Sequence, residues 1–579
     1  MRKLLTATLV ILGVAVSTLG FSQVYKWKDA NGNTAYGDKV PTDARDVERV
    51  RVPGTRGVKA AGPYPVATAV VPAAGATQNT SPPFTGGDDP SNSAPSQSSS
   101  SGSTAVGGGG GGGGAGGAGL AKGAAGQGGA AGSSGSRQAA AGQGQPSSAS
   151  PMVAAQETAP AAPTPPPPPR YVINLADLSF PGPQIGPITK RYFGMHIHRA
   201  LKLPTWPQIG FGSWNLWDAD NVTWVRLEPL RGQWHFEVLD QLVDLAQQND
   251  VELMYTLALT PPWASARPDE WCPYGRGCAA EPANMADWEN FVRTVATRYR
   301  GRIKYWEVWN EPSLSELEKV PKAYWSGSAA KLLELQESAY RVLKQVDSNN
   351  MILSPGFVGD GQRLDYYFGQ LNGRAKAVTD IVSSHFYTQD PEQLYRHVTW
   401  IKSITARRGI ADKPLWNSET GYTVIEAPAK MSSVVVGMPM AAAYVSRDLV
   451  LGAAVGIERF QWYALDSAPM GLLEARTANA DLRGIAYATT VRWLKGAMLD
   501  GCVSADKVKW VCQLSRGTRK AWIVWAAQGD ADFTTPSDAP AVEYETLTGQ
   551  TVTLPSAGGP VPINFSPVLV KLDSGRWAE

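Results

Sequence analysis

From about Tyr171 to Gly496 the chain repeats one pattern: a short apolar, β-prone run, then a stretch whose apolar residues recur at helical spacing. The strand-like runs are YFGMHIH (192–198), TWVRLEP (223–229), ELMYTLAL (252–259), IKYWEVWNEP (303–312), MILSPGF (351–357), IVSSHFY (381–387), PLWNSETGY (414–422) and RFQWYAL (459–465). Amphipathic segments lie between them. In 285–301, Trp288, Phe291, Val292, Val295 and Tyr299 share one helical face, as do Leu335, Ala339, Val342 and Val346 in 332–347. Eight strands interleaved with helices predict a (β/α)8 barrel over 170–495. An open doubly wound sheet would share the pattern, but no glycine fingerprint follows the first strand.

The pattern changes on both flanks. After 495, VKWVCQL, KAWIVWAA and VEYETLTGQTVTL read as strands, so 496–579 is expected to form a β-sandwich, with RYVINLADLSF (170–180) placed to add a strand. Residues 58–169 are rich in Gly, Ala, Ser and Pro, including Gly107 to Gly114 and Pro165 to Pro169. Such a composition cannot bury enough apolar surface to offset chain entropy and predicts a disordered tether, with an r.m.s. span of roughly 60 Å. Residues 23–57 contain VYKWKDANGNTAYGDKVP, two short strands around a turn at Asn31 and Gly32. At the start, Arg2 and Lys3 precede an apolar run from Leu4 to Leu19, the pattern of a secretory signal over 1–22. An uncleaved anchor is the rival reading, although the run is short for a spanning helix.

Charge adds an exclusion. Lys and Arg number 53 against 51 Asp and Glu, so no net basic charge marks the chain for nucleic acid or anionic lipid. The four cysteines fall as two close pairs, Cys272 with Cys278 and Cys502 with Cys512. In an exported protein these read as two local disulfides; zinc is the rival, but no histidine stands near either pair at ligand spacing.

Chemistry concentrates at the strand ends. In a barrel, catalytic groups come from the C-terminal ends of strands. Glu311 ends the fourth run and Glu419 the seventh, where alternation places Leu415, Asn417 and Glu419 on one face. Two glutamates at the mouths of strands four and seven face each other across the barrel, as hydrolysis of a glycosidic bond requires. Alternation also places Tyr305, Glu307, Trp309 and Glu311 together, so a buried Glu307 needs a partner. Arg226, within an apolar run, needs an anion in turn, and Glu307 or Glu419 would serve. Glu228 could pair with Arg231, and Glu458 stands at the wrong end of its strand. His196 and His198 share a face of strand one, but no third metal ligand has suitable spacing, so no metal or other cofactor is expected. Asn310 could be a turn residue, and His385 and Trp462 could belong to the core.

WEVWNEP (306–312) and SETGY (418–422), with WVRLEP and RFQWYAL in order, resemble clan A retaining β-glycosidases, and 214–265 resembles glycoside hydrolase family 39 and its bacterial exopolysaccharide-associated relatives. The resemblance covers about 190–490. It implies that Glu311 is the acid/base and Glu419 the nucleophile, that Asn310 binds the sugar 2-hydroxyl, and that Arg226 supports the nucleophile. It also implies a sugar site lined by His385, with Trp462 as the stacking floor. His196, Trp263, Tyr387 and Tyr422 are further candidate contacts. The 24–41 stretch resembles a small N-terminal domain of unknown function common in exported bacterial envelope proteins, which implies envelope association. The expected partner is a β-linked poly- or oligosaccharide. A non-catalytic glycan-binding envelope protein and a transglycosylase are the alternatives; the residues fix neither the sugar nor the oligomeric state.

Overall fold

The computed structural model describes residues 171–574 and 577, apart from 318–323, 360, 371–372, 425–434, 468 and 475–476, together with three short strands between 25 and 49. The expected signal (1–22) and tether (58–169) lie outside the described residues. The chain forms two compact units, Met1–Asn79 and Thr80–Glu579. In the first, Tyr25–Lys28 pairs antiparallel with Thr34–Gly37, the expected hairpin, and Arg45–Arg49 adds a third strand on the other side.

In the second unit, parallel strands close into a barrel. Their order is Phe193–His196, Ser213–Asn215, Glu252–Leu257, Tyr305–Val308, Met351–Leu353, Val382–His385, Leu415–Glu419 and Arg459–Trp462. The fifth strand resumes at Phe357–Val358, which pairs with the sixth, and the eighth pairs with the first. Helices between the strands bury the expected faces: Trp288, Phe291, Val292 and Val295 in Met285–Arg298, and Leu335, Ala339 and Val342 in Ala329–Val346. Fully burying an aliphatic or aromatic side chain contributes about 1.5–3 kcal/mol, so such faces dominate the docking of helices on the barrel.

The second strand differs from expectation. It is Ser213–Asn215, while Trp224–Leu227 forms a helical turn. The short run TWVRLEP satisfies both periods. Helical spacing prevails because Trp224 Nε1 then reaches Glu228 Oε2 four residues on, at 2.9 Å, while Trp224 and Leu227 are both buried. Arg226 is consequently exposed.

Two sheets follow the barrel. One contains Met498–Val503, Lys509–Arg516, Arg519–Ala526, Val568–Lys571, Glu543–Thr546 and Thr551–Thr553. The other contains Val561–Ile563, Ala531–Thr534 and Tyr171–Asn174. Val511, Trp522, Phe533, Ile563 and Val570 share their core. Trp525 Nε1 donates to Glu392 Oε1 (2.9 Å) on the barrel helix Pro391–Arg407. Both expected disulfides form, Cys272–Cys278 and Cys502–Cys512.

Candidate active site

The fourth barrel strand ends in a change of course. Trp309 (φ 73°) and Glu311 (φ 41°) both have left-handed backbone, which costs a non-glycine residue about 1–3 kcal/mol and persists only where surrounding bonds enforce it. Those bonds are present: Trp309 N–H donates to Leu257 O (3.0 Å), Gly356 N–H to Trp309 O (3.2 Å) and Glu311 N–H to Gly356 O (3.0 Å). The expected alternation therefore stops at Val308. Trp309 packs against Trp325 and Trp288, rings 4.7 and 6.5 Å away, while Glu307 stays inside the barrel. The Glu311 carboxylate enters the mouth.

Glu419 arrives by a second irregularity. Trp416 and Ser418, not Leu415 and Asn417, line the interior: Trp416 stacks under Arg459, and Ser418 Oγ lies 2.6 Å from Ser383 Oγ. Pairing with the sixth strand then slips one residue, so His385 stands opposite Glu419 rather than Ser418. Such a bulge re-aims the side chain that follows it.

His385 joins the two carboxylates. Its Nδ1–H donates to Glu311 Oε1 at 2.8 Å and stands 3.8 Å from Glu419 Oε1. One oxygen of each glutamate and a ring nitrogen of His385 lie within 4.8 Å of one another. That spacing would admit a divalent cation only at the expense of the His385 proton. Burial disfavours charge on His385, but Glu419, Glu311 and Glu307 outweigh it and raise its pKa to about 9. Burial raises Glu419 to about 8, opposed by the His385 charge and by Tyr387, whose hydroxyl donates to Glu419 Oε1 at 2.8 Å. Glu419 Oε2 is buried and has no partner.

Beneath this cluster lies Glu307, fully buried and raised by that burial to about 7. Its partners are the hydroxyls of Ser383 (2.6 Å) and Thr256 (3.1 Å), not an arginine. A Cβ on Gly356 would stand 2.8 Å from His385 Nε2 and 2.9 Å from Glu307 Oε1, so glycine is needed for this close approach.

Parts of the chain have counterparts among known proteins. Residues 191–354 match the family model for glycosyl hydrolase family 10, and 14–76 match the domain of unknown function DUF4124. Endo-1,4-beta-xylanase A of Phanerodontia chrysosporium is 31% identical over 94 residues, 16% of this chain and 22% of that protein. Beta-galactosidase bgaB of Geobacillus kaustophilus is 22% identical over 218 residues, 32% of this chain and 30% of that protein. The chain thus spans less than a third of either relative's length. A solved family 39 glycoside hydrolase from Bacteroides cellulosilyticus WH2 superposes with a TM-score of 0.51 and 16% identity, covering 66% of this chain and 81% of that one. The barrel fold is similar to that of glycoside hydrolases. The family 10 match is one of sequence over 191–354, and the family 39 likeness is one of fold.

Several other candidates lie elsewhere in the barrel than expected. Arg226, exposed on its helical turn, is not the support of Glu419; Tyr387 and His385 occupy that position. Trp462 does not face the mouth. Gln461 occupies the interior, with Nε2 on Ser213 Oγ (3.0 Å), so alternation turns Trp462 outward, its Nε1 donating to Met470 O at 3.1 Å. Trp263 is engaged outside the carboxylate cluster, by Glu228 O at 2.8 Å and by Arg231 over its ring at 4.4 Å. Glu228 accepts from Trp224 and Gly232, and Arg231 pairs with Asp287 instead. Tyr422 lies on Thr388 (2.9 Å) and Asp448 (3.4 Å).

Asn310 is 2% exposed and its Oδ1 has no partner. His196 is fully buried, its Nε2–H on Ser418 O (2.8 Å); burial lowers its pKa to about 3, which keeps it neutral with Nδ1 unpartnered. The sequence reading missed Tyr463 and Asp218. Tyr463 packs its ring 5.1 Å from His196 and 4.9 Å from His198, and donates to Asp218 Oδ2 at 3.1 Å. Parity with Gln461 was the signal that could have found it.

Proposed function

We propose that the protein is a retaining glycoside hydrolase acting on a β-linked poly- or oligosaccharide, with Glu311 as acid/base and Glu419 as nucleophile. The observation that carries this reading is the meeting of the two carboxylates at the mouths of strands four and seven, with one oxygen of each within 4.8 Å of the other. Retaining enzymes hold their carboxyls about 5–5.5 Å apart, whereas inverting ones leave about 6.5–9.5 Å for a water. Glu419 Oε2, buried and unpartnered, attacks the anomeric carbon and forms a glycosyl ester. As the glycosidic C–O bond breaks, Glu311 transfers its proton to the leaving oxygen. With the Glu419 charge consumed, Glu311 takes a proton from water, whose oxygen attacks the anomeric carbon and releases Glu419. His385, holding Glu311 Oε1 through Nδ1, and Tyr387, holding Glu419 Oε1, orient the pair. Asn310 Oδ1 is available for the sugar 2-hydroxyl.

We also propose that the enzyme acts outside the cytoplasm. The signal pattern at residues 1–22, the two disulfides and the DUF4124 match support export and association with a cell envelope. A bacterial exopolysaccharide is the substrate class we favour.

The test is hydrolysis of a polysaccharide panel by the wild type, Glu311→Gln and Glu419→Gln, read as reducing ends released. The wild type should cleave at least one member and each variant should lose at least about 10³-fold in rate. Full activity in both variants would reject the assignment.

A further inference from the structure

Asp218 follows the second barrel strand on left-handed backbone (φ 60°), in a stretch where Asp220 (φ 43°) and Asn221 (φ 62°) are left-handed too. Its half-buried carboxylate is bracketed by two hydroxyls: Tyr274 donates to Oδ1 and Tyr463 donates to Oδ2. No arginine or lysine among the described residues pairs with it. Arg199, close to the same rim, is committed to Asp466, with Nη2 donating to Asp466 O at 2.8 Å. A carboxylate has about four acceptor sites, so two remain open on Asp218.

The surroundings offer acceptors. Tyr463 links Asp218 to His196, and His196 Nε2–H lies on the carbonyl of Ser418, the residue before Glu419. The buried unpartnered atoms here include Glu419 Oε2, Asn310 Oδ1 and His196 Nδ1. All three are acceptors, the histidine because its other nitrogen carries the proton. His385 Nε2 stands against them as a donor. Acceptors left dry cost about 1–3 kcal/mol each, and a ligand that brings hydrogens recovers this. Sugar hydroxyls and amines bring hydrogens. A uronic acid brings a carboxylate, and the Asp218 charge, held by tyrosine hydroxyls rather than by an arginine or lysine, would repel it.

We infer that Asp218 determines the specificity of the sugar site: it accepts a hydroxyl or amino hydrogen of the bound sugar and turns away a sugar bearing a carboxylate at that position. This rests on the carbohydrate site proposed above. Tyr274 and Tyr463 fix the rotamer of Asp218, and the Cys272–Cys278 disulfide closes the loop that carries Tyr274.

The experiment is calorimetric binding, with turnover in parallel, of neutral, N-deacetylated amino-sugar and uronic-acid oligosaccharides to the wild type and Asp218→Asn. The wild type should favour the neutral or amino sugars. Asp218→Asn should weaken those about tenfold or more, through KM with kcat within a few-fold, and narrow the gap to the uronates. Asp218→Ser serves the same purpose should the amide variant misfold. Unchanged affinity and preference in both variants, a wild type that prefers uronates, or the absence of any saccharide binding would overturn the inference. Asp218-dependent binding without turnover would retain it and remove the hydrolytic reading; turnover indifferent to Asp218 would do the reverse.

Discussion

The two ends of the barrel both hold charge, and they treat it in opposite ways. At the base, the Arg459 guanidinium lies between the rings of Tyr305 (4.2 Å) and Trp416 (4.4 Å), donates to Tyr305 Oη at 2.8 Å and pairs with Glu252. Trp416 in turn donates to Glu458 Oε2 at 3.3 Å. At the mouth, Glu311, His385 and Glu419 crowd together while Glu419 Oε2, His385 Nε2 and Asn310 Oδ1 lack partners. A buried polar group without a partner destabilises the fold, so its persistence in a barrel able to satisfy its own base points to a ligand. Charge at the base serves stability; charge at the mouth is held ready for chemistry.

This contrast can be broken by substitution. Glu419→Gln should lower kcat by at least about 10³-fold while leaving the melting temperature unchanged or higher, since it neutralises a carboxylate raised by burial. Arg459→Met should do the opposite. Its rings and acid lose a desolvated cation, for a loss of about 2–4 kcal/mol in chemical denaturation, with kcat per folded molecule unchanged. A catalytic defect in Arg459→Met, or a stability loss of that size in Glu419→Gln, would erase the distinction.

Acidity sharpens it further. The proposed nucleophile works as the anion, and Glu419 is raised to about 8, so kcat/KM should fall as pH drops through that value rather than near the ordinary carboxylate range. Tyr387→Phe removes a hydrogen bond that favours the anion; it should move this acid limb upward and cost about tenfold in kcat/KM at neutral pH. An acid limb at pH 4–5 in both proteins would contradict the burial argument.

The last effect, on stability, belongs to Glu307. Its folded pKa, about 7, exceeds the ordinary 4.5, so the folded state holds a proton that the unfolded chain releases. The associated stability is full below pH 4.5 and is lost as pH rises through 7. Glu307→Gln never ionises, so its stability relative to wild type should rise by about 3 kcal/mol between pH 4.5 and 8, on top of a constant loss for any hydroxyl bonding it forfeits. A flat difference in melting temperature across that range would show that Glu307 does not titrate there.

The sequence made the barrel legible because most of its strands are continuous apolar runs, as expected for parallel strands buried on both faces. Ser213–Asn215 escaped notice: three residues with a serine and an asparagine carry little strand signal, and the run at 223–229 offered a better imitation. Glu311 and Glu419 were legible from their places at run ends, although strict alternation was not the route that brings either to the mouth. Left-handed residues at 309 and 311 and a bulge before Glu419 achieve it, and local periodicity carries no trace of either. Tyr463 and Asp218 depend on one another across 245 positions, a contact fixed only by closure of the barrel.

The central claim is that Glu419 forms the covalent bond to sugar. Activated 2-deoxy-2-fluoroglycosides, followed by peptide mass spectrometry, address it directly. One glycosyl unit should appear on the peptide containing Glu419 and be absent from Glu419→Gln. A label on another carboxylate, or a substrate cleaved with inversion at the anomeric carbon, would contradict the account.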